Sequence, residues 1–214
     1  SAKTLNSREV VVKIAVKHMF KEACMFFASE IAQASTGGIV GGRPKASPVI
    51  KLFSFLIDKN QVNVEIDFDG QRYPIEIPQG VSTEQLLTLT AGENAVYQGD
   101  EIEVPLIEIA HARSGDKGNH SNIGVIARKA DYLPWIRAAL TEQSVASYMQ
   151  HVLDAEKGRV IRYELPGLNA LNFMLENALG GGGIASLRID PQGKAFAQQL
   201  LDMPVKVPAH LLEK

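Results

Sequence analysis

Apolar and polar positions alternate most cleanly between residues 62 and 77. Val62, Val64, Ile66 and Phe68 interleave with Asn63, Glu65, Asp67 and Asp69, and Tyr73, Ile75 and Ile77 repeat the pattern beyond Asp69-Gly70. A period of two is the mark of a strand, and Asp-Gly between two such runs predicts a two-residue hairpin. Upstream, the β-branched run Val10–Val16 predicts a strand. Phe20, Cys24, Phe27 and Ile31 fall at helical spacing within a helix expected over Met19–Ala34. The glycine-rich stretch Thr36–Lys45 ends that helix, and Val49–Ile57, apolar almost throughout, reads as a buried strand. Residues 78–101, broken by Pro78, Gly80, Gly92 and Gly99, read as a linker with at most a helical turn at Thr83–Leu89.

Downstream of that linker the pattern predicts a strand at Ile102–Ala110, a polar loop over Arg113–Asn122, and a short buried strand at Ile123–Ala127. Leu133–Leu140 and Val145–Ala155 read as helices, with Thr141 as N-cap between them. Val160–Leu165 reads as a strand, Ala170–Asn177 as a short helix, Ile184–Ile189 as a strand, and Gly193–Leu201 as a last helix stopped before Pro204. Mixed helices and strands with hairpin pairing predict an α+β chain of two α/β sandwich units, the C-terminal one ferredoxin-like. The expected division is an α+β unit over 1–78, a linker over 79–101, a second domain over 102–206 and a tail over 207–214.

Charge changes this picture. Of the 214 residues, 22 are Lys or Arg and 24 are Asp or Glu, a balance that argues against a nucleic-acid partner. The distribution is uneven: residues 61–110 carry one basic and ten acidic side chains, whereas residues 1–60 carry nine and four. No apolar run is long enough to span a bilayer, so no membrane role is expected. The first residues lack the apolar core of a signal peptide, and the lone Cys24 cannot form an internal disulfide. Together these predict a cytoplasmic protein. The chain starts without Met, which is compatible with a fragment.

The densest group of chemically able residues lies at Arg113, Ser114, Asp116, Lys117, His120, Ser121 and Asn122, with Gly115 and Gly118 among them. A loop of this kind can aim N–H groups at an anion while Arg113 or Lys117 supplies charge; it can equally be a plain connection whose Asp116 and Ser114 bond their own backbone. His111, Asp116 and His120 match no standard metal-ligand spacing. A Ser114–His120–Asp116 triad lacks a nucleophile elbow. His120 as general acid or base fits better, because an imidazole titrates near neutrality. Gly180–Gly183 permits close backbone approach without being a phosphate-binding loop, and Gly41-Gly42-Arg43-Pro44-Lys45 is a third anion-friendly stretch or a plain exposed loop. Cys24, Trp135 and Phe173 read as core.

Several of these stretches together resemble a known family. Ala112-Arg113-Ser114-Gly115-Asp116-Lys117-Gly118, followed by Ser121-Asn122-Ile123-Gly124-Val125-Ile126-Ala127-Arg128, is similar to the signature of the AtuA, or acyclic terpene utilisation, proteins. The likeness continues through Leu168-Asn169-Ala170-Leu171-Asn172-Phe173, Leu179–Gly183, Ser186-Leu187-Arg188 and Asp190-Pro191-Gln192-Gly193-Lys194. It covers the second unit, which resembles the C-terminal ferredoxin-fold domain of that family. Residues 42–48 and the elements before them resemble the end of its larger N-terminal domain, most of which lies outside this chain. The resemblance implies bacterial catabolism of acyclic terpenes carried as coenzyme A thioesters.

Two expectations follow. In the first, the chain binds an organic acid or acyl-CoA for hydration, isomerisation or lyase chemistry without a cofactor or metal. Arg113, Ser114, Lys117, Gly118, Asn122, Gly181 and Gly182 would bind the substrate, and His120 or Asp116 would move a proton. In the second, it is a non-catalytic assembly module that packs against the missing N-terminal domain or a partner subunit as a homo-oligomer, with the acidic stretch 61–110 as a docking face.

Overall fold

The computed structural model of the chain describes residues 12–37, 44–78, 80, 92, 94–96 and 99–212. Contacts gather the chain into two units, Leu52–Ala91 and a larger one made of Ser1–Lys51 with Gly92–Lys214. In the smaller unit, β1 (Glu65–Phe68) pairs antiparallel with β2 (Gln71–Pro74), Phe68 opposite Gln71. Asp69 (φ 55°) and Gly70 (φ 77°) both lie in the left-handed region, the signature of the type I′ turn expected there.

The larger unit opens with α1 (Lys21–Ile31), which buries only Ala28. Its centre is a four-stranded antiparallel sheet built from β4 (Ala110–Lys117), β5 (His120–Ala127), β6 (Arg159–Leu165) and β7 (Ala170–Glu176), in the order β4-β5-β7-β6. Strands β5 and β6 flank β7 and run parallel to each other. They are joined through α2 (Leu133–Ala139) and α3 (Glu142–Tyr148), which makes a split βαβ unit of the ferredoxin-like kind. The position beside β5 is filled from upstream, by β4. The strand that follows α4 (Phe196–Leu201), namely β8 (Pro204–Pro208), pairs instead with β3 (Glu101–Pro105).

One face of the four-stranded sheet is apolar and covered. Ile123, Val125, Leu171, Phe173 and Leu175 from the strands meet Ile136, Leu140, Val145 and Met149 from α2, α3 and the turn after them, and Phe196 and Leu200 from α4. Phe173 is fully excluded from solvent, worth about 1.5–3 kcal/mol for a side chain of that size. At the far edge of this face the Arg137 guanidinium, almost wholly buried, pairs with the Glu164 carboxylate at 3.1 Å. Arg162 donates to the carbonyls of Arg137 and Leu140, at 2.9 and 3.1 Å, and so closes the C-terminus of α2. Thr141 caps α3 as expected, accepting the Ser144 N–H at 3.0 Å.

The structure corrects several sequence expectations. The polar loop over Arg113–Asn122 is a β-hairpin: Ser114, Asp116 and Ser121 alternate onto one face, and Arg113, Lys117, His120 and Asn122 onto the other. Ala170–Asn177 forms a strand, not a helix: Leu171, Phe173 and Leu175 are buried in alternation, and two flanking strands override the helix-favouring Leu, Met and Glu. Val49–Ile57 has no regular secondary structure, is unpaired among the described residues and is exposed, with Phe53 82% accessible. Residues 12–16 are likewise exposed coil, Ile184–Ile189 forms turns, and Ile102–Ala110 is broken after Pro105 by a 3-10 turn at Leu106–Glu108. The helical turn at Thr83–Leu89 and the stretch Gly41–Arg43 lie outside the described residues.

Candidate functional site

Strand alternation decides where each side chain of the hairpin goes. Lys117 stands opposite His120 across a two-residue turn, Gly118-Asn119, in which Gly118 takes φ 74°. Glycine at the first of two turn positions is what a type II′ hairpin requires. The register then puts Ala112, Ser114, Asp116, Ser121, Ile123 and Val125 on the covered face. His111, Arg113, Gly115, Lys117, His120, Asn122 and Gly124 fall on the opposite face. There Arg113, Gly124, Asn172 and Tyr163 form one row across the sheet, and Gly115, Asn122, Met174 and Ile161 the next.

Ser114 and Arg113 are therefore on opposite sides of the sheet. The Ser114 hydroxyl is buried, donates to the Gly193 carbonyl at 2.6 Å and accepts the Ala197 N–H at 2.9 Å. It serves as an N-cap for α4 supplied by another element, since the Ala195 that precedes the helix has no capping side chain. Asp190 holds the same turn through the N–H groups of Lys194 and Ala195, at 2.9 and 2.8 Å.

The hairpin turn and the glycine run meet in space. The Asn119 carbonyl accepts the N–H groups of Ala178 and Leu179, and its side chain accepts the Gly181 N–H at 2.7 Å and donates to Asn177 at 3.0 Å. Gly182 (φ 85°) packs so tightly that a Cβ there would lie 2.8 Å from the Gly118 carbonyl oxygen. Gly183 sits against Asp116, with 3.2 Å between the Asp116 Oδ2 and a Cβ at that position. The backbone that comes close to the glycines is thus the hairpin's own. Asp116 also accepts the Gly118 N–H at 2.9 Å. Asn119, which joins the two segments, was not singled out in the sequence; a polar residue beside a turn glycine was the available signal.

His120 and Asp116 face opposite sides of the sheet. His120 Nδ1 accepts the Asn177 N–H at 2.9 Å, so the neutral ring carries its proton on Nε2, which the described residues leave free. Asn122 donates to Asn172 at 3.0 Å. Arg113 is exposed and makes no hydrogen bond or ion pair among the described residues. Lys117 reaches the Asp116 carbonyl at 2.9 Å. At the end of the same face, a hydrogen bond from Arg159 holds the Glu176 carboxyl below its ordinary pKa.

One residue outside the hairpin adds charge beside it. Lys194 brings its Nζ to 3.4 Å from where a Gly115 Cβ would stand, and thereby covers the buried Gly115. Tyr163 and Ile126, 48% and 45% accessible, add apolar surface to the open face. Two cavities of about 540 and 290 Å³ are walled by residues of 14–49 and 184–187, with no residue from β4 or β5. Cys24 lines both and is half-buried. Among the described residues no cluster of His, Cys, Asp and Glu could hold a metal ion. None of the described helices is long and apolar enough to cross a membrane.

Residues 104–206 match the family model of the AtuA ferredoxin-like domain, which spans the four-stranded sheet, its helices and half of the β3–β8 pair. No curated protein and no solved structure gives a significant match to the chain.

Proposed function

We propose, from the premise that residues 104–206 are an AtuA ferredoxin-like domain, that this domain binds an organic acid or its coenzyme A thioester on the open face of its sheet. The supporting observation is Arg113: an exposed guanidinium without a partner among the described residues, beside Gly124, whose missing side chain leaves a shallow floor between Arg113 and Asn172. A guanidinium over such a floor suits bidentate capture of a carboxylate or phosphate. His120 lies on the same face, and its free Nε2 is the group that would move a proton in hydration, isomerisation or lyase chemistry. Asp116, directed to the other side, would act through the fold.

The test is a thermal-shift titration of the chain with coenzyme A, acetyl-CoA and succinate, repeated with Arg113→Ala. A ligand at 100 times its Kd adds about 2.7 kcal/mol, or roughly 5–10 °C in a unit of this size. The expected result is a shift that Arg113→Ala abolishes; a shift of equal size in the variant refutes the site. A second reading, assembly with a partner domain or another copy of the chain, is favoured by the exposed Tyr163 and Ile126 on the same face. It predicts a concentration-dependent dimer that Tyr163→Glu disrupts, with no response to the anions.

A further inference from the structure

We infer that Lys194 is a third cation of this site and makes it selective for anions carrying two or more negative charges. The inference rests on the anion-binding reading and deepens it. Lys194 belongs to the turn before α4, on the covered side of the sheet, yet its Nζ stands beside Gly115 on the open side. Since β4 is the edge strand, the side chain reaches around that edge. The bare backbone of Gly115 leaves the Nζ room at the strand surface, 3.4 Å from where a Cβ would stand. The Lys194 backbone is not free to drift. Its N–H is held by Asp190 at 2.9 Å, and the carbonyl of Gly193 before it by the Ser114 hydroxyl at 2.6 Å. Ser114 and Asp190 are accordingly positioning residues for this ammonium.

The consequence is a row of positive charge along β4: Arg113, the Lys194 ammonium at Gly115, and Lys117. Successive positions on one face of a strand are about 6.8 Å apart. A single carboxylate can engage only one of these charges, whereas a dicarboxylate or a diphosphate linkage can engage two. The Glu176 carboxylate at the end of this face is paired with Arg159, and Asp116, the carboxylate on β4 itself, faces the other side and is occupied by the Gly118 N–H and the packing of Gly183. Neither neutralises the row at contact distance.

Succinate and butyrate separate the possibilities, because they share a four-carbon chain and differ in charge. Each is titrated by NMR into the full chain, following the Gly115 and Gly124 amides, with Lys194→Met, Lys194→Arg and Arg113→Ala alongside. The parent is expected to bind succinate the more tightly. Lys194→Met should weaken succinate about fivefold, the size of one solvent-exposed charge contact, leave butyrate unchanged and leave the ligand-free melting temperature in place. Lys194→Arg should retain the preference. Equal weakening of both anions, or of neither, by Lys194→Met overturns the inference while butyrate binding lost in Arg113→Ala keeps the broader reading. Failure of the parent to bind either anion overturns both.

Discussion

Removing one hydroxyl tests how the hairpin and the last helix are joined. In Ser114→Ala the Gly193 carbonyl loses its donor and the Ala197 N–H its acceptor, at a side chain only 7% accessible. Little room remains for water to replace the oxygen. A lost N-cap costs about 1 kcal/mol, and a buried group left unpaired about 1–3 kcal/mol. Some relaxation of the turn offsets part of this, which gives a net loss of about 2 kcal/mol, or roughly 4–8 °C in melting temperature for a unit of this size. Urea unfolding followed by far-UV circular dichroism reads the change as a lower midpoint at constant slope. Asp190→Ala releases neighbouring N–H groups of the same turn, so the double variant should lose less than the two single losses combined. A Ser114→Ala midpoint within about 0.5 kcal/mol of the parent would refute the capping role, and with it the view that this hydroxyl is engaged by the fold instead of by a ligand.

Gly182→Ala should destabilise by about 2 kcal/mol or more, because it adds a positive-φ penalty to a 2.8 Å contact with the Gly118 carbonyl. Gly118→Ala, with φ 74° but nothing within 4 Å, should cost only about 1 kcal/mol, and equal midpoints for the two would refute the close packing. Glu164→Ala removes the carboxylate that pairs with the buried Arg137 guanidinium and should cost about 3 kcal/mol in urea unfolding, whereas a loss below about 1 kcal/mol would mean that this pair contributes little. The Glu176 carboxyl, held low by the Arg159 hydrogen bond, contributes stability above the ordinary carboxylate range and loses it as pH falls through its folded value. A pH series of melting temperatures should therefore show a shallower acid limb in Glu176→Gln, and superimposable curves would exclude the contribution.

Local patterns fared best where a single physical rule governed them. The Asp69-Gly70 hairpin followed from alternation plus a turn that only left-handed residues can make, and Thr141 from its capping chemistry. The hairpin over 110–127 was harder to read because its open face is polar. Arg113, Lys117, His120 and Asn122 interleave with residues as small as Ala112, Ser114 and Ser121, so alternation carries little hydrophobic contrast. Ala170–Asn177 failed for the opposite reason, since Leu, Met and Glu favour a helix until neighbouring strands supply hydrogen bonds on both sides. The residues singled out as a candidate site were visible as a composition, but their division between two faces is a property of register. Nothing local foretold that Lys194 would reach Gly115 across some 80 positions of chain.

The substitution of β4 for a later strand at the sheet edge bears on the order in which the domain can fold. Within the four-stranded sheet, each hairpin joins neighbours in sequence, β4 to β5 and β6 to β7, and one short helical crossover links the two. Every pairing of that sheet is complete by Glu176. The β3–β8 ladder joins Glu101 to Pro208, and so must close a loop that encloses the whole sheet. Closure entropy grows with loop length, and pairings of that span come late in folding. The last ladder thus behaves as a clasp on a sheet already formed, and variants in β8 should speed unfolding more than they slow refolding.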